Sequence, residues 1–532
     1  MKRTMGHALV MGILAVFVIN LFAVAGHGAK LPKDILVFAS TDSITTWDPS
    51  ASYSTESVYM PNMYECLIWV TPLGSEKPFA PGLATDWKAE ENGMKWTFTL
   101  RKGVKFHDGG TLNAQVVKDS IERTVKMGKG AAFIFGPLKE IKIFDEYTVQ
   151  FILKNPAPFD RIIASANAAW IISPEGVKKD RKWFEAGREA GCGPYMLESY
   201  KPDEEIIFKK FDAYWRGWEG SHFNRIVVKI VKEATVAEQM LESGVADLAT
   251  RIPLESSKIL DTKACCERPV GASFMNYAIH LNTKKFPFNN KLIRKAVSYA
   301  MPYESMIEIS MGGLARQAVG PVPYGQFGHD DTLYQYKTDL VKAKKLMAEA
   351  GYPNGIKEKV LFTYASENAV EKACAPLLKE ELAKIGIHVE IRPMIWTAQW
   401  DLMKGGAEKA HDMAALLWWP SFSDPYETLY SLWHAEKKPY WNFSYYKNPA
   451  FDETILKAYS TPDGTKAQAL YSQAQKMVIE EAPSIFLFDV ERPIFKRREL
   501  KGYVINPNYP RVPFWYHMYK AVSYTHLRAH ET

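Results

Sequence analysis

The stretch Trp96-Thr97-Phe98-Thr99-Leu100-Arg101-Lys102-Gly103-Val104-Lys105-Phe106-His107-Asp108-Gly109 sets the fold class. From Trp96 to Leu100 large apolar and polar side chains alternate, the pattern of a strand with one buried face. Asn92-Gly93 before it and Lys102-Gly103 after it supply the bounding turns. Thr111 then opens a helix on which Val117, Ile121 and Val125 recur at four-residue spacing, an apolar stripe that needs a surface to pack on. A strand handing over to an amphipathic helix through a short joint predicts mixed α/β architecture.

The same alternation of elements extends in both directions. Asp34 to Ala39 is a short buried-strand pattern ending in the polar loop Ser40-Thr41-Asp42-Ser43. In the second half, Thr338-Asp339 caps a helix carrying Leu340, Ala343, Leu346, Met347 and Ala350, which Gly351 and Pro353 stop. Val360 to Tyr364 reads as a strand. Val370, Cys374, Leu377, Leu378, Leu382 and Ile385 form a second helical stripe ending at Gly386, and His388-Val389-Glu390-Ile391 returns as a strand. No internal repeat and no low-complexity tract interrupts this order.

Lys2 and Arg3 precede an apolar run from Ala8 to about Ala25 that closes on Ala23-Val24-Ala25. This order predicts a cleaved secretory signal over residues 1–25. A membrane anchor is the alternative, because the run approaches the roughly 18 residues that spanning requires. No Cys follows at a lipidation position, so a soluble periplasmic protein is expected. Removing the signal leaves roughly 500 residues, enough for two or three packed units. The formal charge of +6, spread over interspersed acids and bases, is too mild to imply nucleic acid as a partner. Five cysteines, Cys66, Cys192, Cys265, Cys266 and Cys374, leave at least one unpaired within the chain. Cys265 and Cys266 would close a strained ring if joined to each other, so one of them is expected to pair elsewhere. The segment 522–532 continues no periodicity and reads as a non-native tail.

Around the opening stretch, Pro81-Gly82-Leu83-Ala84-Thr85-Asp86-Trp87 and Leu112-Asn113-Ala114-Gln115-Val116-Val117 complete a pattern that resembles the signature of the peptide/nickel solute-binding proteins of ABC importers (family 5, the dipeptide/oligopeptide-binding type). The resemblance continues through Gly193-Pro194-Tyr195, Ser243-Gly244-Val245-Ala246-Asp247-Leu248, Leu281-Asn282-Thr283, Asp424-Pro425, Asn448-Pro449 and Ala482-Pro483. Gly109-Gly110-Thr111 departs from the single Gly usual in that family. The resemblance implies an α/β, two-lobed periplasmic binding protein fold (class II, cluster C type) with an extra inserted domain and a hinge between lobes. The implied boundaries are 33–75, 192–275 and 490–521 for the first lobe, 76–191 for the inserted domain and 276–489 for the second lobe. The chain would cross twice, at Phe274 to Asn282 and Phe488 to Arg492. It further implies a monomer that captures a small molecule by hinge closure and delivers it to a membrane permease and its ATPase.

Peptide-binding members of that family pair the peptide amine with an Asp just before the Asp-Pro motif. The matching position here is Ser421, and no Arg stands in Tyr364-Ala365-Ser366 to hold a peptide carboxylate. An unpaired ion in a closed cleft costs several kcal/mol, so an ordinary zwitterionic peptide is not the expected ligand. A true oligopeptide binder with a different clamp is the alternative. The expected contacts are Tyr53, Ser54, Thr55 and Glu56 on the first lobe. On the second lobe they are Tyr364, Trp396, Trp400, Trp418, Trp419, Ser421, Phe422 and Tyr426. The aromatic faces suit sugars, aromatic acids or cationic groups, and Glu56 is read either as a partner for a ligand cation or as a helix cap. The 12 His fall in no ligating cluster, so no metal and no cofactor is expected. An exported hydrolase is the rival class, but no G-x-S-x-G, H-E-x-x-H or phosphate-binding loop occurs.

Overall fold

The alternation at the opening stretch does form a strand, Lys95–Leu100, with Phe98 and Leu100 buried beneath it. It lies in a four-stranded antiparallel sheet of order Ala84–Glu90, Lys95–Leu100, Thr148–Leu153, Leu138–Asp145. The structure is a computed structural model describing residues 32–521 other than 43, 251, 253, 438 and 439, and not the side chains of 254 and 255. The expected signal 1–25 and tail 522–532 lie outside the described residues.

The helix after this strand starts at Ala114, three residues beyond Thr111, because Asn113 is the residue whose side chain accepts from the Val116 N–H (3.0 Å). Val117 and Ile121 face the core, but Val125 is 44% exposed. A four-residue step overshoots a full turn by about 40°, so the stripe rotates outward by its third member. Ser120 and Thr124 complete the buried face instead, and the Ser120 hydroxyl donates to the Val116 carbonyl (2.7 Å) while accepting from the Ile172 N–H (2.9 Å).

A seven-stranded sheet shares one core with the four-stranded sheet, and the two define the first lobe. Its centre is Ile35–Ser40, parallel to both Arg225–Ile230 and Leu248–Ala249. The second lobe is built on a six-stranded sheet of order Ala315–Gln317, Ser484–Pro493, Val270–Leu281, Met413–Trp418, Lys359–Ala365, His388–Met394. Its parallel pair Lys359–Ala365 and His388–Met394 is joined by the helix Ala369–Ala383, which Asn368 caps.

Two antiparallel strands, Val270–Leu281 and Ser484–Pro493, carry the chain between lobes. Each runs directly from or into a short strand of the first sheet, Cys266–Glu267 and Phe495–Arg497 respectively. Register shifts at Ala272/Asn276 and Tyr277/Ala278 interrupt their pairing, and Phe274 takes a left-handed φ of 53°. Bulges bend and twist a ribbon locally, and this ribbon spans both crossings at which the hinge is expected, Phe274 to Asn282 and Phe488 to Arg492.

Candidate ligand-binding cleft

The cleft is organised by the turn that follows Met413–Trp418. Asp424 ends the turn and caps the helix Pro425–Trp433, its Oδ1 accepting from the Tyr426 N–H (2.9 Å), with Pro425 in the first helical position. The cap throws Ser421 and Phe422 out of the second lobe and against the first. Phe422 packs into the first lobe's hydrophobic core, 7% exposed. The Ser421 carbonyl accepts from Ser165 Oγ and Asn167 Nδ2, both at 3.0 Å, and its hydroxyl meets the Tyr53 hydroxyl at 2.5 Å. Arg161 of the first lobe ion-pairs with Asp424 Oδ2 and lies 3.8 Å from the centre of the Phe327 ring. These contacts close the lobes on one another. Beside the ion pair a cavity of about 120 Å³ remains between Trp96 and Pro158 on one side and Tyr459 and Tyr471 on the other.

Asn167→Ala removes one of two donors to the Ser421 carbonyl while Ser165 keeps the other. We expect a loss of about 1 kcal/mol in closure, read as roughly a fivefold rise in ligand Kd by titration calorimetry with unchanged Tm of the ligand-free protein.

Beneath Ser421 lies Glu427, on the first turn of the same helix. Its carboxylate is 5% exposed, Oε1 accepts from the Ser421 hydroxyl (3.2 Å), and Oε2 has no hydrogen-bond partner. The neighbouring Trp418 indole N–H is committed to Thr428 Oγ1 (3.2 Å). Burial pushes the Glu427 pKa up to about 8, against the pull of the Ser421 hydroxyl and N–H and of the nearby Trp418 indole. The Tyr53 phenol is raised too, by enclosure of its hydroxyl end and then by the nearby Glu427, although the residue as a whole is 42% exposed. Ser421 was identified from sequence as the place where an acid is missing. The fold supplies one from six residues downstream.

The other expected contacts divide. Tyr53 and Ser421 meet across the cleft, and Phe422 is buried in the opposite lobe. Trp418 is buried with its edge on Trp441 (5.6 Å, 71°), and Trp419 is 53% exposed. Glu56 is fully buried, and its oxygens accept from Thr45 Oγ1 (2.6 Å) and from the N–H groups of Tyr53 (2.9 Å) and Ser54 (3.0 Å), the cap-like of its two expected roles. Its role is to fold the loop that presents Tyr53. Ser54 and Thr55 form the turn itself, the Ser54 carbonyl accepting from the Ser57 hydroxyl. Tyr364 is buried in the second-lobe core beside Phe362, because its position on the strand points inward. Tyr426 stacks on Tyr459 at 3.9 Å within the second lobe.

Trp396 and Trp400 stack nearly parallel with Trp441 and Phe443, at centroid distances of 5.1 to 6.4 Å and interplanar angles of 6° to 14°. Both tryptophans are half-buried and spend much of their flat surface on one another. Arg161, Ser165, Asn167 and Glu427 were not read from the sequence. The first three sit in a region whose local pattern carries only helix and turn signals. Glu427, third after the cap Asp424, matches the capping-box spacing that a reader assigns to helix termini.

A family model described as bacterial extracellular solute-binding proteins, family 5, middle, matches residues 78–440. The chain belongs to this family. Its function is that of family 5 proteins, the solute-binding component of an ABC importer. The curated relative "Probable D,D-dipeptide-binding periplasmic protein DdpA" of Escherichia coli (strain K12) is 31% identical over 93% of this chain and 96% of its own length. Glutathione-binding protein GsiB of Salmonella typhimurium is 27% identical over 91% and 94%. Among solved structures, the periplasmic binding protein DppA of Helicobacter pylori in complex with the peptide STSA is 28% identical, with a TM-score of 0.74 over 91% of this chain and 98% of that one. NikA of Brucella suis, at 20% identity over 92% and 100% with a TM-score of 0.81, shares the family 5 fold. The two-lobed architecture expected from the sequence is therefore the one observed.

Proposed function

We propose that this family 5 protein captures a small, amine-bearing, peptide-like solute in the periplasm and hands it to its permease and ATPase as a monomer, after export by a cleaved signal. The observation that carries this reading is the buried, half-satisfied Glu427 carboxylate under Ser421, at the contact between lobes. A buried carboxylate with an open oxygen is costly unless paired, and a ligand ammonium is the partner that relieves it. The ligands for which the relatives are named, a D,D-dipeptide, glutathione and the peptide STSA, all carry an amine on a peptide-like body. The far end of the solute is uncharged or held without Arg. Tyr364 is buried, and the Ser366 hydroxyl donates to Glu367, so residues 364–366 offer no cation to a carboxylate.

The test is a thermal-shift panel of small peptides and peptide amides, each with a free and an N-acetylated amine. Free-amine compounds should raise Tm, amides at least as strongly as acids, and N-acetylated counterparts should not. Equal stabilisation by the acetylated series would overturn the reading.

A further inference from the structure

Where the first lobe hands the chain to the hinge, Cys265 ends a turn and Cys266 opens the short strand paired with Phe495–Arg497. The expectation that one of them pairs with a distant cysteine is not met: all five cysteines are free thiols. The two adjacent sulfurs instead lie 2.8 Å apart, closer than the ordinary contact of two non-bonded sulfurs. Their surroundings differ. Cys266 is fully buried among Val37, Leu241 and Phe495, whereas Cys265 is partly exposed. The backbone around them is pinned, the Arg498 N–H donating to the Cys265 carbonyl (3.0 Å).

We propose that Cys265 and Cys266 are a redox-sensitive modification site that closes to a vicinal disulfide in the presence of a small-molecule or protein disulfide. The exposed Cys265 thiolate attacks one sulfur of the oxidant, forming a mixed disulfide and releasing the first thiol. Cys266 then displaces the second. One S–S bond is broken and one is formed, and the protons of the two cysteines end on the two thiols released. Burial pushes the Cys266 thiol up to about 12, so it acts only second, against a sulfur already held beside it.

Adjacent Cα atoms lie about 3.8 Å apart, short of the usual disulfide window of about 4.4–6.8 Å. The ring is strained and therefore readily reduced, the behaviour of switchable rather than structural disulfides. No adduct is retained in the wild type, because the Cys266 sulfur lies beside Cys265 to displace it.

The experiment equilibrates the full-length protein with glutathione disulfide, quenches, alkylates in denaturant and reads intact mass and peptide map. Alkylatable thiols should fall from five to three, with residues 265 and 266 joined, no glutathione retained, and full reversal by dithiothreitol. Cys266→Ser should keep one glutathione on Cys265, and Cys265→Ser should acquire none. Five thiols remaining, a bridge to Cys66, Cys192 or Cys374, glutathione retained on the wild-type pair, or modification of Cys265→Ser would each overturn the proposal.

Discussion

Replacing Arg161 by Met should weaken ligand capture roughly 30- to 100-fold and shift the protein toward the open form, a cost of about 2–3 kcal/mol on closure. Closing the lobes takes Asp424 to 1% exposure, and Arg161 is the cation that meets it there. In the open form water replaces that cation, so the penalty for losing it falls on the closed state alone. The loss stays below that of a wholly buried pair for two reasons. Arg161 keeps 19% of its surface in solvent, and Asp424 retains the Tyr471 hydroxyl (2.6 Å) and the Tyr426 N–H (2.9 Å) as donors.

Asp424→Asn tests the same contact from the other side. Asn caps a helix about as well as Asp, so the helix Pro425–Trp433 should persist and only the charge is lost. A drop of about tenfold in affinity is expected, and the double variant should lose less than the sum of the singles. Calorimetric Kd and the radius of gyration from small-angle scattering read both effects. Wild-type values of both in Arg161→Met would show that the pair does not hold the lobes together.

The fold was legible wherever the signal is local. The alternation of Trp96 to Leu100 gives a strand, and Asp339 and Asn368 cap helices as such residues do, because strand pleat, helix pitch and cap chemistry are written within a few residues. Val125 shows the limit of even that signal, since a four-residue spacing drifts off a buried face within two turns.

The cleft was legible only in part. Tyr53 and Ser421 meet between the lobes, but their contact joins residues 368 apart, and Arg161 and Asp424 are 263 apart. No periodicity encodes such pairings. Glu56 was left open between ligand partner and cap, and Glu427 carried no reading at all. Glu56 spends its oxygens on its own loop, whereas Glu427 accepts from the Ser421 hydroxyl.

Glu427→Gln should abolish most of the pH dependence of both closure and ligand affinity. The sign follows from the pKa of Glu427, raised to about 8 in the closed cleft. An open, hydrated cleft returns it toward the ordinary carboxylate range near 4.3. Between these values the closed state holds a proton that the open state releases. Ligand-free closure is therefore most favourable below the lower value and is lost as pH rises through about 8, by on the order of 5 kcal/mol in all. A ligand ammonium reverses the sense for the closed ligand-free form: it pairs with ionised Glu427, so binding to that form near pH 6–7 expels a proton. Affinity for the ammonium then rises by up to tenfold per pH unit and levels off near 8. In Glu427→Gln both slopes should flatten, and amine ligands should lose roughly 100-fold in affinity while N-acetylated ones are unaffected. Glu371 and Asp489, each pushed by burial to about 7, also titrate in this range, and Tyr53 faces Glu427 as a neutral phenol. The quantity to read is accordingly the difference between wild type and variant, measured as proton release by calorimetry in buffers of different ionisation enthalpy. Equal proton release by the two proteins would remove Glu427 from the binding step.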